Sequence, residues 1–296
     1  MTTYRGRLAP SPTGFMHLGH ARTFWIAHQR AASAGGALIL RNEDLDRARC
    51  QQPFVPAMLE DLRWLGLKWS EGPDVGGPHT PYDQSGRMTH YTALFDRLRA
   101  GGFLYPCTCS RQDVQRALTA PHAGEDEPIY PGTCRPPATL ERSVSSIPRA
   151  GVNWRFRLPE GERIAFQDGH LGPQAQVAGR DFGDFIVWRK DDFPAYQLAV
   201  VADDAAMGIT EVVRGADLIA STFRQLAIYE ALRLDPPAFY HCELVKDEHG
   251  VRLAKRDDAR SLRTLRQQGC APEAIVEGFQ EPIKKQETGF GAPKAG

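Results

Sequence analysis

The chain has 296 residues, of which 42% are hydrophobic, enough to bury one large domain or two smaller ones. Lysine plus arginine equals aspartate plus glutamate at 36 each, so a nucleic-acid partner would have to bind local basic patches. No run of eighteen apolar residues is present and the start MTTYRGR lacks a signal-peptide core, so we expect neither membrane insertion nor secretion, and we expect a cytoplasmic protein.

The start of the chain predicts a strand, a helix and a second strand. Arg7–Ala9 is a short extended run, and a turn rich in proline, serine and glycine follows at residues 10–14. A helical pattern of apolar residues begins near His17 and ends at the glycines 35–36, after which Ala37–Leu40 predicts a buried strand. Open α/β sheets bind ligands at the carboxyl ends of such strands. The polar residues that follow the second strand are Arg41, Glu43, Asp44 and Asp46.

His17, Gly19 and His20 stand at the start of the predicted helix. A helix N-terminus attracts phosphate because its first N–H groups are unpaired and its dipole end is positive. The histidines add hydrogen-bond donors, and the glycine lets a ligand approach the backbone closely. The pattern therefore indicates a site that binds and polarises a nucleoside triphosphate. The alternative is that both histidines only cap the helix.

Two amphipathic helices are predicted next, at residues 54–65 and 87–100. Ser85 is a candidate N-cap of the second helix, and the glycine pair at 101–102 is its stop. Both patterns are typical of ordinary helices that bury one face.

Three cysteines, Cys107, Cys109 and Cys134, occur in the segment that begins at residue 103. A total of six cysteines in a chain of this length favours a metal site in a reducing compartment over a disulfide framework. Three thiolates and a fourth ligand would form a closed tetrahedral site, which suits structural zinc. On spacing alone, His122 is the more common type of fourth ligand. The alternative is three reduced cysteines without a metal.

Short strand-like runs separated by turn signals fill residues 150–190 and predict a mainly β insertion. An α/β pattern returns afterwards, with a buried strand predicted at Leu198–Ala202, a second at Ile209–Arg214 and a helix at Ser221–Leu232. The chain is therefore predicted to be a nucleotide-binding α/β domain that is interrupted by an insertion.

The final part of the chain is locally basic. Between Lys246 and Arg266 there are seven lysines and arginines against four acidic residues, a pattern that most often belongs to a solvated helix face. Residues 281–296 are rich in glycine, lysine and proline and predict a disordered tail.

Several of these motifs together resemble one family. The sequence from Pro10 to Thr23, PSPTGFMHLGHART, is similar to the HIGH signature of class I aminoacyl-tRNA synthetases in the form found in glutamyl-tRNA synthetases. The flanking sequences RLAPS and RNEDLD and the stretch 194–232 also resemble that family. Residues 252–256, RLAKR, take the place of its KMSKS loop, although arginine replaces the first lysine and alanine replaces the usual serine.

The resemblance implies a role for each motif. ATP with Mg²⁺ would bind at His17, Gly19, His20 and Lys255, among which the two histidines and the lysine are the catalytic candidates. L-glutamate has two carboxylates and one ammonium group, which require cationic donors and at least one acid. The residues implied to hold it are Arg7, Leu8, Ala9, Pro10, Ser11, Glu43, Tyr196 and Arg214.

Two points stay open at the level of sequence. The resemblance implies that Tyr130, four residues before Cys134, is the fourth zinc ligand in place of His122. Arg214 is implied to bind the amino acid, but a structural ion pair with Asp217 is the alternative.

The implied fold is α/β: a Rossmann-like class I synthetase catalytic domain split by a mixed, zinc-containing insertion, with no anticodon-binding domain. We expect five parts: the first half of the catalytic domain at 1–102, the inserted acceptor-binding subdomain at 103–190, the second half at 191–245, a KMSKS-like loop with a helical end at 246–280, and the tail at 281–296.

The short C-terminal part implies the truncated paralogues of this family, which transfer glutamate to queuosine in the anticodon of tRNA(Asp). The expected reaction is activation of L-glutamate by ATP to glutamyl-adenylate, followed by that transfer, in a monomeric enzyme. One alternative is a minimal glutamyl-tRNA synthetase that charges tRNA(Glu). Others are a small-molecule nucleotidyltransferase and a zinc-containing RNA-binding module without catalysis.

Overall fold

The elements of the fold are given for the part of the chain that the computed structural model describes. Its residues are 3–51, 53–109, 129–137, 147–244 and 261–279. The β-strands in these ranges are β1 Arg5–Leu8, β2 Ala37–Leu40, β3 Leu104–Cys107, β4 Asn153–Phe156, β5 Arg163–Asp168, β6 Gly172–Val177, β7 Phe185–Trp188, β8 Glu211–Gly215 and β9 Ala238–Cys242. The α-helices are α1 Leu18–Ser33, α2 Phe54–Trp64, α3 Met88–Ala100, α4 Tyr196–Ala206, α5 Ile219–Leu232, α6 Leu262–Gln267 and α7 Pro272–Glu277.

The strand–helix–strand unit predicted at the start of the chain is confirmed. β1 and β2 pair in parallel, with Arg5 opposite Ala37, and α1 connects them. Four of the five buried side chains of α1 follow helical spacing, namely Ala21, Phe24, Ala27 and Ala31, and the fifth is Ile26. A Cβ atom at Gly36 would lie 2.4 Å from the carbonyl oxygen of Tyr4, so only glycine fits where the chain leaves α1 and enters β2.

One predicted strand is wrong. The apolar run Leu198–Ala202 lies inside helix α4. All of these side chains are buried because α4 contacts α3, α5 and β7. A helix that is covered on every side needs no polar face, and its short apolar run cannot be distinguished from a buried strand by periodicity.

The second amphipathic helix is confirmed, but its predicted cap is wrong. α3 begins at Met88 and buries Tyr91, Leu94, Phe95 and Leu98 on one face. The proposed N-cap, Ser85, lies in a preceding 3-10 turn, where its hydroxyl donates to a carboxylate oxygen of Asp44 at 2.6 Å. A carboxylate acceptor from a distant loop has replaced the local helix N–H as its partner.

The strands form two further sheets within the described ranges. β3, β4 and β7 make an antiparallel sheet, and the strands of the second follow the order β6, β5, β9, β8. In that second sheet β5 pairs in parallel with β9, with Asp168 opposite Phe239, and β9 pairs in parallel with β8. Strand β5, from the segment predicted as an insertion, therefore shares a sheet with strands of the second half.

Two hydrophobic clusters stabilise this arrangement. The larger lies between the β3–β4–β7 sheet and helices α3, α4 and α5, and includes the fully buried Trp154 and Trp188. The second surrounds β1, β2, α1 and α2 and also receives Val213 of β8. β8 is thereby placed beside β1, where the backbone N–H of Thr210 donates to the carbonyl of Arg5 at 2.9 Å. Throughout the ranges given above, no helix is both long and apolar enough to cross a bilayer.

Candidate active site

A cleft of about 430 Å³ opens where the chain leaves β1 and enters α1. Residues at or just beyond the carboxyl ends of β1, β2, β8 and β9 line it, which is the usual ligand position in an open α/β sheet. Most of the residues predicted to bind ATP or glutamate share this cleft. They are Arg7, Ala9, Pro10, Ser11, His17, Gly19, His20, Glu43, Tyr196 and Arg214.

Two residues predicted to bind ATP or glutamate, Leu8 and Lys255, are not among the observed lining residues. The side chain of Leu8 is fully buried in the second hydrophobic cluster, and its carbonyl accepts the backbone N–H of Arg41 at 2.8 Å. Lys255, the candidate for the triphosphate, lies outside the described residues. So does His122, the alternative zinc ligand, and the choice between it and Tyr130 stays open.

His17 is the N-cap of α1. Its Nδ1 accepts the backbone N–H of Gly19 at 3.2 Å, so the neutral ring carries its proton on Nε2. Its ring stacks on that of His20 with 4.0 Å between centroids. The first turn of α1 contains no acidic residue that would neutralise the positive end of the helix dipole. Capping and cleft lining are therefore compatible roles for His17.

A side chain at position 19, between the two histidines, would crowd the ring of His17. A Cβ atom at position 19 would lie 3.1 Å from Cε1 and 3.2 Å from Nδ1 of the His17 ring. Alanine would therefore press on the ring in its capping position. We refer to His17, Gly19 and His20 as the histidine side of the cleft.

The opposite side is built from charged residues, and we call Arg7, Glu43, Tyr196 and Arg214 the arginine side. Arg7 is 4% exposed and donates through Nη1 to the carbonyl of Val213 at 3.0 Å. Its Nε lies 3.6 Å from a carboxylate oxygen of Asp204. The cation is thus fixed by β8 and α4 before any ligand binds.

Arg41 lies beneath the arginine side and is completely buried. It forms ion pairs with Glu43 at 2.9 Å and with Asp204 at 2.6 Å, and its Nε is 3.7 Å from Asp203. Burial raises the pKa of Glu43, although the neighbouring Arg41 guanidinium opposes this effect. Such a network is strongly destabilised by loss of one member, because a buried charge would be left without its partner.

Arg214 and Tyr196 complete the arginine side. Tyr196 is the first residue of α4 and its side chain is 39% exposed, unusual for a large apolar ring. Arg214 is 3% exposed, and burial lowers the pKa of its guanidinium. Its Nη2 donates to the hydroxyl of Thr222 at 2.7 Å and its Nε donates to His241 at 3.2 Å. These bonds hold Arg214 at the cleft.

Sequence reasoning gave no role to several residues that support this site. Asp203 and Asp204 offered one signal, since two acids directly after the apolar run LAVVA require buried partners if the element continues. Asp168, Thr222 and His241 offered none, because an isolated polar residue in a strand or helix is usually exposed.

The side chains of the three cysteines predicted to bind zinc lie close together. The sulfur atoms of Cys107, Cys109 and Cys134 all lie within 4.8 Å of one another. The hydroxyl of Tyr130 is 3.6 Å from the Cys107 sulfur and 3.7 Å from that of Cys109. Sulfurs bound tetrahedrally to one zinc ion would be separated by about 3.8 Å, so the donor set fits this metal.

The surroundings favour thiolate at Cys134, whereas burial and the hydrogen bond with Cys134 raise the pKa of Cys109 to about 11. Arg155 donates through Nε to the sulfur of Cys107 at 3.2 Å, and its guanidinium lies over the Tyr130 ring. Although burial opposes it, hydrogen bonds from Tyr130 and Cys109 lower the pKa of Cys134 to about 6. The lowered pKa of Cys134 promotes the deprotonated form that binds metals.

Comparison with known proteins agrees with this architecture. Over 272 residues the chain is 49% identical to the glutamyl-Q tRNA(Asp) synthetase of Symbiobacterium thermophilum, covering 92% of this chain and 84% of that protein. It is 41% identical to glutamate–tRNA ligase 2 of Nitrosococcus oceani, covering 93% of this chain but only 58% of the ligase. The chain therefore spans little more than half the length of this ligase.

Comparison with solved structures also matches the chain to a glutamate–tRNA synthetase. The glutamate–tRNA synthetase of Elizabethkingia anophelis superposes with a TM-score of 0.79 at 26% identity, covering 94% of this chain and 61% of that one. The sequence profile of the family described as "tRNA synthetases class I (E and Q), catalytic domain" matches residues 3–282. Since this match spans nearly the whole chain, the protein belongs to the class I tRNA synthetases of the E and Q type and contains their α/β catalytic domain.

Proposed function

We propose that the protein activates L-glutamate with ATP and transfers the glutamyl group to queuosine in the anticodon of tRNA(Asp). The observation that carries this proposal is the single cleft that contains both the arginine side and the histidine side. Cations suited to carboxylates beside a helix N-terminus suited to phosphates fit the joining of an acidic amino acid to a nucleotide. The name of the Symbiobacterium relative supports the same function.

The arginine side is proposed to select glutamate. Two cations, Arg7 and Arg214, match the two carboxylates of the substrate, and the Glu43 carboxylate matches its ammonium group. The Arg41 network keeps these charges in place in a region of low dielectric, where each interaction with a ligand is stronger than in water. Because folding already holds these charges in position, glutamate does not have to order them when it binds, and this favours binding.

The histidine side is proposed to bind the phosphates of ATP. The positive end of the α1 dipole would attract the phosphates, and the Nε2–H of His17 would donate to a phosphate oxygen. Mg²⁺, bound with ATP, would neutralise part of the phosphate charge. The ammonium of Lys255 is proposed to stabilise the charge that develops on the leaving pyrophosphate.

The chemistry proceeds in two displacements. A carboxylate oxygen of glutamate attacks the α-phosphorus of ATP, which forms glutamyl-adenylate and releases pyrophosphate. A hydroxyl of the queuosine cyclopentene-diol then attacks the activated carbonyl carbon, losing its proton and releasing AMP. Positioning and charge stabilisation lower both barriers, so no nucleophile of the protein is required.

The cysteine cluster is proposed to bind one structural zinc ion through Cys107, Cys109, Cys134 and Tyr130. Zinc there would join the end of β3 to the segment 129–137, and it has no role in the reaction. We assign this cluster and the β3–β4–β7 sheet to the inserted subdomain at 103–190.

The acceptor separates this proposal from its nearest competitor. A minimal glutamyl-tRNA synthetase would use the same cleft, and the 41% identity to a glutamate–tRNA ligase favours it as the second candidate. The higher identity and the 84% coverage of the glutamyl-Q relative favour queuosine. Because ATP and tRNA are intracellular substrates, we expect the enzyme to act in the cytoplasm.

The test is transfer of labelled L-glutamate, in the presence of ATP and Mg²⁺, to three acceptors in parallel: queuosine-containing tRNA(Asp), unmodified tRNA(Asp) and tRNA(Glu). We expect label on the queuosine-containing tRNA alone. Label on tRNA(Glu) would establish the minimal synthetase. Glutamate-dependent exchange of pyrophosphate into ATP, measured separately, tests the activation step without any tRNA.

A further inference from the structure

A line of buried polar groups lies behind Arg214 and reaches away from the cleft. Arg214 on β8 stands opposite His241 on β9 in the strand register, and Asp168 ends the next strand, β5. The side chains of His241 and Asp168 are both 0% exposed, with Nδ1 of the histidine 2.6 Å from Oδ2 of the aspartate. Thr222 of α5 closes the group, its hydroxyl 2.9 Å from Nε2 of His241. None of these three supporting residues lines the cleft.

The direction of these hydrogen bonds follows from the donors present. The Arg214 guanidinium can only donate, so Nε2 of His241, 3.2 Å from its Nε, must accept. An ionised Asp168 can only accept, so Nδ1 of His241 must carry the proton. His241 is therefore neutral and in the Nδ1–H tautomer, which is the only form that satisfies both neighbours.

The charges of the pair agree with this assignment. Burial lowers the pKa of His241, and the bond to Asp168 opposes this effect. Burial alone would raise the pKa of Asp168, but His241 and three backbone N–H groups donate to it and lower its pKa to about 2. An ionised aspartate with a neutral histidine is the expected state at neutral pH.

The hydrogen bonds of this group occupy two of the three donor nitrogens of Arg214. Its Nε and Nη2 are occupied by His241 and Thr222. Its Nη1 is buried and meets no acceptor with full hydrogen-bond geometry within the described residues, although the Tyr196 hydroxyl lies near enough to interact with the guanidinium. An unsatisfied buried donor is costly, and Arg214 lines the cleft, so a ligand carboxylate is the natural acceptor for Nη1.

We propose that Asp168 and His241 are positioning residues for glutamate recognition: Asp168 fixes the tautomer of His241, and His241 holds the Arg214 guanidinium so that Nη1 meets a substrate carboxylate. This inference rests on the proposed function, because it assigns that carboxylate to glutamate. Neither residue touches the substrate, and both act through Arg214.

Asp168→Asn tests whether Asp168 fixes the tautomer of His241, because asparagine has nearly the same shape as aspartate. The amide oxygen would keep the backbone bonds of Oδ1, and the NH₂ group would face Nδ1 of His241 as a donor. His241 would then move its proton to Nε2, where it would oppose the Nε–H of Arg214. Nitrogen-15 chemical shifts of histidine-labelled protein distinguish the tautomers. We expect Nδ1–H in the wild type and Nε2–H in the variant.

The kinetic consequence is measured by glutamate-dependent pyrophosphate exchange. For Asp168→Asn we expect the KM for glutamate to rise about tenfold or more while the KM for ATP changes less than about twofold. Asp184→Asn is the matched control, since Asp184 is also buried but accepts from Tyr105 and from the backbone of Leu158, away from the cleft. It should leave both KM values near those of the wild type.

If Asp168→Asn does not fold, Thr222→Val tests the same group from the other side. Valine has the shape of threonine but cannot accept from Arg214, so the KM for glutamate should again rise selectively.

An Nε2–H tautomer in the wild type would overturn the proposal, as would an unchanged glutamate KM in a folded variant or an equal rise for both substrates. Absence of exchange by the wild type would overturn the proposed function instead, and the tautomer measurement would still decide the positioning pair.

Discussion

The two sides of the cleft are stabilised in different ways. The arginine side depends on contacts between residues that are far apart in the chain: Arg7 donates to Val213, 206 positions on, and Arg41, beneath this side, pairs with Asp204, 163 positions on. On the histidine side, His17 is fixed by the N–H of Gly19, two positions on. The charged residues of the arginine side, Arg7, Glu43 and Arg214, are also buried, whereas His17 and His20 are half-buried at a helix end.

This difference teaches how the two kinds of recognition are built. Phosphate binding needs donors in one orientation, and one turn of helix supplies them locally. Selecting a small dicarboxylate needs separate charges at fixed distances in a dry site, which only packed tertiary structure provides. Substitutions on the arginine side should therefore act selectively on glutamate, and substitutions on the histidine side should act selectively on ATP.

The largest effect is expected from Arg214→Met. Methionine keeps much of the apolar contact with the surroundings but removes a buried cation from the cleft, so kcat/KM for glutamate should fall about a hundredfold, equivalent to about 2.7 kcal/mol. The KM for ATP should stay unchanged in pyrophosphate exchange. The control is Arg180→Met, where the arginine is exposed and pairs with its neighbour Asp181. Equal losses for both substrates would contradict the division between the two sides.

A smaller effect is expected from Lys255→Ala, which tests the phosphate role given to a residue beyond the described ranges. The rate of adenylate formation should fall more than about tenfold because the charge developing on pyrophosphate loses its cation. Zinc content, measured by atomic emission, should not change. Lys190→Ala, at an exposed lysine after β7, is the control. An unaltered exchange rate would rule out the role of Lys255.

Gly19→Ala tests the histidine side by steric pressure. The new Cβ would lie about 3.1 Å from the His17 ring and displace it, so the KM for ATP should rise about tenfold with little change in that for glutamate. Ser33→Ala, at the exposed far end of α1, is the control. If the glutamate KM changed more than the ATP KM, the assignment of the two sides would be reversed.

Cys134→Ser tests whether the cysteine cluster acts independently of the arginine side and the histidine side of the cleft. Removal of one thiolate should lower bound zinc from about one equivalent to below about 0.2, since a serine hydroxyl is a poor zinc ligand. Exchange activity should stay within about threefold of the wild type because the metal has no role in the chemistry. Cys270→Ser is the control and should retain the metal. Wild-type protein without zinc would refute the metal assignment.

The smallest effect on catalysis, with a measurable effect on stability, is expected from Asp61→Asn. Asp61 is fully buried on α2 and its carboxylate oxygens have no hydrogen-bond partner within the described residues; Arg266 lies 3.6 Å away. Burial raises the pKa of Asp61 to about 6, above its value in the unfolded chain. Folding therefore favours the protonated form, and this contribution to stability is lost as pH rises from about 4 through 6.

Asparagine resembles the protonated acid at every pH. Asp61→Asn should therefore raise the free energy of unfolding by about 1–2 kcal/mol at pH 8, and the difference from the wild type should vanish near pH 4. Urea unfolding at both pH values measures it. A variant that is less stable at pH 8 would show that the ion pair with Arg266 outweighs the cost of burial.

Features that depend on neighbouring residues were predictable from the sequence. The first strand–helix–strand unit follows from apolar spacing and its glycines, and the capping position of His17 follows from the start of that pattern. The cysteine cluster was also indicated, because Cys107 and Cys109 are close in the chain and ligand type limits the possible metals. These features need only short-range geometry, which periodicity and spacing encode directly.

Other features were decided only when distant segments packed together. LAVVA is compatible with a strand or a helix, and burial between α3, α5 and β7 selects the helix. Ser85 could accept a helix N–H as a cap, but its hydroxyl donates to the Asp44 carboxylate instead. Asp168, His241 and Arg214 form one group because β5, β9 and β8 are adjacent in a sheet, although 73 positions separate the first two. The sequence determined which elements and ligand types were available, while the charges of the arginine side were placed by tertiary packing, because buried ions are stable only where partners from other segments meet them.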